Sequence, residues 1–242
     1  MVSRAEQIKI RRKVKRRLAS KAGRKMFQFG QADSSLTGNG MFGCMDTSIQ
    51  NVFWITKGKK LTLNQVRRAT GARANGPTAA VQAAVGLRRL GLPYVIRTDL
   101  MMSELLDTIQ NKGPVIIAYR YWAHPHWRGA NYFGHKMNGW ANNNFGRRVF
   151  VGFSDPLGKS GANQWGFRGG HAAVLAWARD PEGRDNVIVG VRDPNHGSAT
   201  RPQRPLWDKI SRSQLSEMLE SIRPANAGRT LVFVPTRRVV DA

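Results

Sequence analysis

The chain has 242 residues, 39 Lys and Arg against 15 Asp and Glu, and one cysteine. That length supports a well-buried core, and a single cysteine excludes an intrachain disulfide and a cysteine-based zinc site. No apolar run reaches the length of a membrane span and the N-terminus lacks the apolar core of a secretory signal, so a soluble product made in the cytoplasm is expected.

Residues 1–25 hold eleven basic side chains and one acid, Glu6, and so carry +10 of the formal +24. Arg11, Arg12, Lys13, Lys15, Arg16 and Arg17 are the densest part. Such a field favours a polyanion, whether nucleic acid, an acidic wall polymer or an acidic protein surface. The plainer alternative is a solvated tail, and no recognisable nucleic-acid module accompanies the charge. Ile8, Ile10, Val14 and Leu18 fall at roughly helical spacing, which predicts a basic amphipathic helix or an arm that orders on binding. The chain therefore divides into a basic arm, 1–25, and a domain, 26–242. Residues 27–42 are rich in Gly, Ser and Asn and read as a loop.

From Cys44 the pattern turns helical, with Met45, Ile49, Val52 and Phe53 on one stripe and Gly58 as a stop. Thr62 and Gln65 form a capping box for a second helix that ends at Gly71. Pro77 opens a third, carrying Val81, Ala84 and Val85 inward and ending at Gly91. A short strand, 94–97, precedes a fourth helix with Met102, Leu105, Leu106 and Ile109 on one face. Then come strands at 114–119, 171–177, 187–191 and 231–234, rich in Val and Ile, with one more helix at roughly 213–221. Helices first and strands afterwards predict an α+β domain whose sheet packs on the leading helix.

Cys44 sits at the start of its helix, where unpaired backbone N–H groups and the positive dipole end favour a thiolate. Asp46 opposes this slightly. A lone cysteine is more often a small buried hydrophobe, so the case for chemistry needs partners. His171, after Gly169-Gly170, and Asp193, before Pro194, flank a turn-rich segment, 180–185. If the flanking strands form a hairpin symmetric about Glu182, the two face each other, and the carboxylate fixes the tautomer that aims the other imidazole nitrogen at a thiol. Register decides the matter, because a one-residue slip separates them.

Cys44 on a helix, Gly113-Pro114-Val115-Ile116-Ile117, Gly170-His171-Ala172-Ala173-Val174 and Val191-Arg192-Asp193-Pro194 follow an order that resembles the papain-like cysteine peptidases. The similarity is greatest to the bacteriocin-leader-processing branch that cleaves after double glycines, and its stand-alone relatives. It covers about 40–235. The resemblance implies a papain-like fold of N-terminal helices on an antiparallel sheet, with Cys44 as nucleophile, His171 as general base and Asp193 as orienting residue. The family's oxyanion-stabilising Gln precedes the nucleophile by a few residues; here Gly38 and Asn39 stand there, which leaves Asn39 or the more distant Gln31 as donor. The usual Asp-Cys-Gly is Gly43-Cys44-Met45.

Residues 120–168 are too long for an ordinary connection and dense in aromatics, including Trp122, Trp127, Trp140 and Trp165. Such an insertion suits a cleft for peptide or peptidoglycan, or equally a docking surface in a larger assembly. His124, His126 and His135 lack a neighbouring carboxylate or thiol, so no metal or cofactor is expected. Two functions follow. One is a Cys-His-Asp peptidase, as a phage virion (tail) or lysis component acting on peptidoglycan peptides. The other is a weakly active or inactive structural virion or assembly protein that keeps the fold and binds DNA or an acidic partner through its arm.

Overall fold

The computed structural model describes residues 3–21, 23, 43–73, 78–98, 100–120, 140–142, 148–150, 170–179, 188–192, 208–213, 215–216 and 231–240. The elements are α1 (Arg4–Ala19), α2 (Cys44–Lys57), α3 (Leu63–Thr70), α4 (Ala80–Arg89), β1 (Tyr94–Arg97), α5 (Met102–Asn111), β2 (Val115–Arg120), β3 (Trp140–Asn142), β4 (Arg148–Phe150), β5 (Gly170–Arg179), β6 (Ile188–Arg192), β7 (Asp208–Ser211) and β8 (Leu231–Pro235). The fold is helices plus an antiparallel sheet. Six strands run in the order β1-β8-β2-β5-β6-β7, and β3-β4 form a separate antiparallel pair. The chain divides into two compact units, one of Met1–Ile117, Ala172–Arg212 and Leu231–Ala242, the other of Ala118–His171 and Ser213–Thr230.

Local signals set the helix ends of the first unit. Ser3 and Glu6 cap α1 reciprocally, and Thr62 and Gln65 do the same for α3, so first-turn donors are satisfied by side chains. Gly58 and Gly71 end α2 and α3 at φ 67° and 69°, a left-handed conformation that a Cβ disfavours.

Packing then sorts the faces. Ile10, Val14 and Leu18, four residues apart, form one stripe on α1 and are buried in the same cluster as Ile49, Val52, Trp177 and Phe233. The basic segment at 4–19 is thus a packed helix against α2 and α5. Gln7 Nε2 donates to Asn111 Oδ1 at 2.8 Å, and Trp54 Nε1 donates to the Arg17 carbonyl at 3.1 Å. The Arg17 guanidinium donates to the Ile55 carbonyl near the end of α2. On α4 the inward residues are Ala83, Gly86 and Leu87, whereas Val81, expected inside, is 72% exposed. The cause is Gly86. A Cβ there would lie 2.5 Å from Thr70 Cγ2, so the closest approach of α3 and α4 uses a residue with no side chain.

The sheet core is carried by β5, where every residue from 172 to 178 is buried. An alternating pattern is absent because the strand is covered on both faces. Met45, Ile49 and Val52 of α2 share a cluster with Ile116, Ala172, Val174 and Ala176, so the sheet packs on that helix as the order of elements predicts. No described helix is long and apolar enough to cross a membrane.

The buried stripe on α1 makes a direct test possible. Leu18→Ala is expected to destabilise the protein by about 2–5 kcal/mol in denaturant unfolding. A solvated arm would instead keep the change within roughly 0.5 kcal/mol.

Candidate active site

Cys44 is the first residue of α2 and a free thiol of intermediate exposure, packed against the main core cluster. Gly43 precedes it at φ −82° and ψ 2°, and the Thr47 N–H donates to the Gly43 carbonyl at 2.8 Å, closing the first turn. The cysteine's position is therefore set by whatever holds that turn.

Two polar anchors hold it beside the apolar stripe. Asp46, 1% exposed, accepts from Arg67 Nε of α3 at 2.9 Å and from Thr78 Oγ1 at 2.5 Å. Arg67, 8% exposed, also donates through Nη1 to the Arg73 carbonyl at 2.6 Å. Burial pushes the Asp46 carboxyl up, and the Thr78 and Arg67 contacts pull it back. The second anchor is the Ser48 hydroxyl, which donates to the Ala172 carbonyl of β5 at 3.2 Å in a buried setting. The Asp46 carboxylate is thus engaged by Arg67 and Thr78.

Arg67, Thr78 and Ser48 carry no motif, but one signal for the ion pair exists. Asp46 is the only acid between residues 43 and 98, among nine Lys and Arg. It also sits in the first turn of a helix buried on most sides, where an ionised group needs a partner.

The other residues read from the sequence are less closely placed. His171 is the second residue of β5 and falls in the second unit, with its backbone alone described. Trp140 opens β3, again as backbone. Asp193, Asn39, Gln31, Trp122, Trp127, Trp165 and the histidines 124, 126 and 135 lie outside the described residues. Arg11, Arg12, Lys13, Lys15, Arg16 and Arg17 are all on α1 but do not form one face: Arg17 turns to α2, while Arg12 and Arg16 are exposed.

The hairpin register differs from symmetry about Glu182. Val174 lies opposite Arg192 and Leu175 opposite Val191; beyond a bulge, Trp177 lies opposite Gly190 and Ala178 opposite Val189. A turn centred on Glu182 would set Val174 against Gly190. The direct His171–Asp193 pairing is thus not the register of the described ladder, which is displaced by two residues before the bulge. Ala176 is the extra residue. The Trp177 ring lies over Gly190, where a Cβ would come within 2.3 Å of it. An even displacement, unlike a one-residue slip, leaves the same side chains on each face.

No family model matches this chain, and no curated protein does. Among solved structures it is similar to a chain from Bacillus anthracis described as a putative C39-like peptidase, at 15% identity and a TM-score of 0.43, covering 82% of this chain and 90% of that one.

The Asp46 clamp yields a stability prediction. Asp46→Ala removes the carboxylate that faces the buried Arg67 guanidinium and is expected to cost about 3–5 kcal/mol, while Asp46→Leu with Arg67→Met recovers most of the loss. Denaturant unfolding of Asp46→Leu, Arg67→Met and the pair gives the coupling. Additive losses would show that the two side chains do not act together.

Proposed function

We propose that the chain is a cysteine peptidase of papain-like fold, with Cys44 as nucleophile, His171 as general base and Asp193 orienting the imidazole. The observation that carries this reading is the Ser48–Ala172 hydrogen bond. Ser48 lies one turn beyond Cys44 on α2, and Ala172 is the residue after His171 on β5, so the bond ties the nucleophile's helix to the base's strand.

In this mechanism the Cys44 sulfur attacks the substrate carbonyl carbon as its proton passes to His171. The C–N bond then breaks while the leaving amine takes that proton. Water hydrolyses the resulting thioester, releasing the acid and restoring the thiol. The first N–H groups of a helix have no intrahelical partner, which makes the Cys44 amide one donor to the oxyanion. Asn39 or Gln31 is the proposed second donor. Peptides of the bacterial wall are the proposed substrate class and a phage virion or lysis component the setting. The charge of the chain and the aromatic stretch at 120–168 support both, with Trp122, Trp127, Trp140 and Trp165 as contact residues.

Alkylation by a thiol-directed probe at neutral pH tests the central pair. Wild type is expected to label about tenfold or more faster than His171→Ala, and hydrolysis of a wall-peptide substrate should fall by roughly four orders of magnitude in that variant. Equal labelling of both proteins identifies an ordinary exposed cysteine and favours the structural virion or assembly role instead.

A further inference from the structure

One buried hydroxyl on α2 is not accounted for by the fold. Thr47 is 5% exposed, and its Oγ1 meets no hydrogen-bond partner among the described residues. The other buried hydroxyls of the same helix are engaged. Ser48 Oγ donates to the Ala172 carbonyl at 3.2 Å, and Thr56 Oγ1 to the Val52 carbonyl at 2.8 Å. Thr70, at the end of α3, donates to the Arg67 carbonyl at 3.1 Å. The carbonyl that a helical threonine ordinarily reaches lies four residues back. For Thr47 that is Gly43, which accepts the Thr47 N–H at 2.8 Å but not its hydroxyl. A polar group sealed from water without a partner opposes folding, so this one calls for a role outside the resting hydrogen-bond pattern.

Position supplies the role. Thr47 follows Cys44 by three residues, so the two side chains share one face of α2, with Cβ atoms about 5–6 Å apart. Helical side chains lean toward the N-terminus, which lays Thr47 over the turn that Cys44 begins. The sulfur and the hydroxyl oxygen are each bonded directly to Cβ, and a rotamer change brings them within hydrogen-bonding reach. As a thiol, the sulfur is a weak acceptor and leaves the hydroxyl unclaimed. As a thiolate it is charged, and a hydrogen bond to an ionised acceptor is roughly twice as strong as a neutral one. A bond made in one protonation state alone favours that state.

We propose that the Thr47 hydroxyl is a further group of the Cys44 site, donating its hydrogen bond to the sulfur when the thiol ionises. The thiol proton leaves to His171, or to solvent in its absence, and Thr47 keeps its own. The proposal rests on Cys44 as nucleophile and adds a second group that favours the thiolate. Changing Thr47 alters no charge on the elements around α2. Asp46 is held by Arg67 of α3, Arg17 of α1 donates to the Ile55 carbonyl near the far end of the helix, and His171 is the second residue of β5.

Cys44 is the only cysteine, so alkylation of the full chain across pH reads this sulfur alone. Thr47→Val keeps the shape and removes the hydroxyl. It is expected to move the pH of half-maximal labelling up by about one unit, and so to label about tenfold more slowly at pH values well below the wild-type midpoint. Its rate on the alkaline plateau should equal or exceed that of wild type, because a more basic thiolate is the better nucleophile. Thr47→Ser keeps the hydroxyl and should follow wild type, whereas Thr47→Ala should follow Thr47→Val. Below the labelling midpoint the stability of Thr47→Val to denaturant should hold or rise, since the hydroxyl has no partner to lose there. An unmoved midpoint in Thr47→Val and Thr47→Ala overturns the proposal. So does an equal shift in Thr47→Ser or a lowered plateau, which assigns the effect to packing, and so does a loss of stability, which shows the hydroxyl bonded in the thiol form. Failure of the peptidase reading is distinct: His171→Ala then labels like wild type at every pH, while the Thr47 variants still report on the sulfur.

Discussion

The near-complete burial of α2 governs the arrangement around it. Asp46, Thr47, Ser48, Asn51 and Thr56 are buried alongside Met45, Ile49, Val52 and Ile55, so the helix has few directions in which a polar group can meet water. Each polar side chain then needs a partner in the protein. Asp46 finds Arg67 and Thr78, Ser48 finds the β5 backbone, and Thr56 bonds back to the Val52 carbonyl. Thr47 has no hydroxyl partner among the described residues. Satisfying these groups fixes α3, the start of α4 and β5 around one cylinder, and so orients its first residue, Cys44.

Features encoded by neighbouring residues were legible in the sequence. The Thr62–Gln65 box and the Gly58 and Gly71 stops are local chemistry, and all appear where their residues predict. The start of α2 at Cys44 is legible for the same reason. What the sequence hid depends on distant parts of the chain. Val81 has the right spacing to face inward, but Gly86 decides the contact, and a hydrophobic stripe does not register a missing side chain. β7 has one apolar residue, Ile210, because an edge strand needs little pattern to pair on one side. The turn-centred argument for His171 and Asp193 located the hairpin and missed its register, since a bulge leaves no mark in a count of residues. The Arg67 partner of Asp46 is a tertiary fact, hinted at only by the scarcity of acid nearby.

Charge and burial are separated cleanly on α1. Its mean character is strongly basic, yet three residues in sixteen suffice to seat it in the core. Beside that stripe the Lys15 ammonium lies over the face of the Trp177 ring, a cation–π contact that joins α1 to β5. Composition gave the field of this segment, and spacing gave the helix. Neither could say that the stripe had a place waiting in the core.

Trp177 links these levels. Its ring meets the Lys15 ammonium and lies against Gly190, where nothing larger than hydrogen fits. Positions 177 and 190 therefore cannot drift separately. A side chain gained at 190 demands a smaller residue at 177, and losing the indole would empty the space beneath α1. Across any set of related chains the two should change together or not at all, with the strand register and the seat of the basic helix as what their covariation preserves.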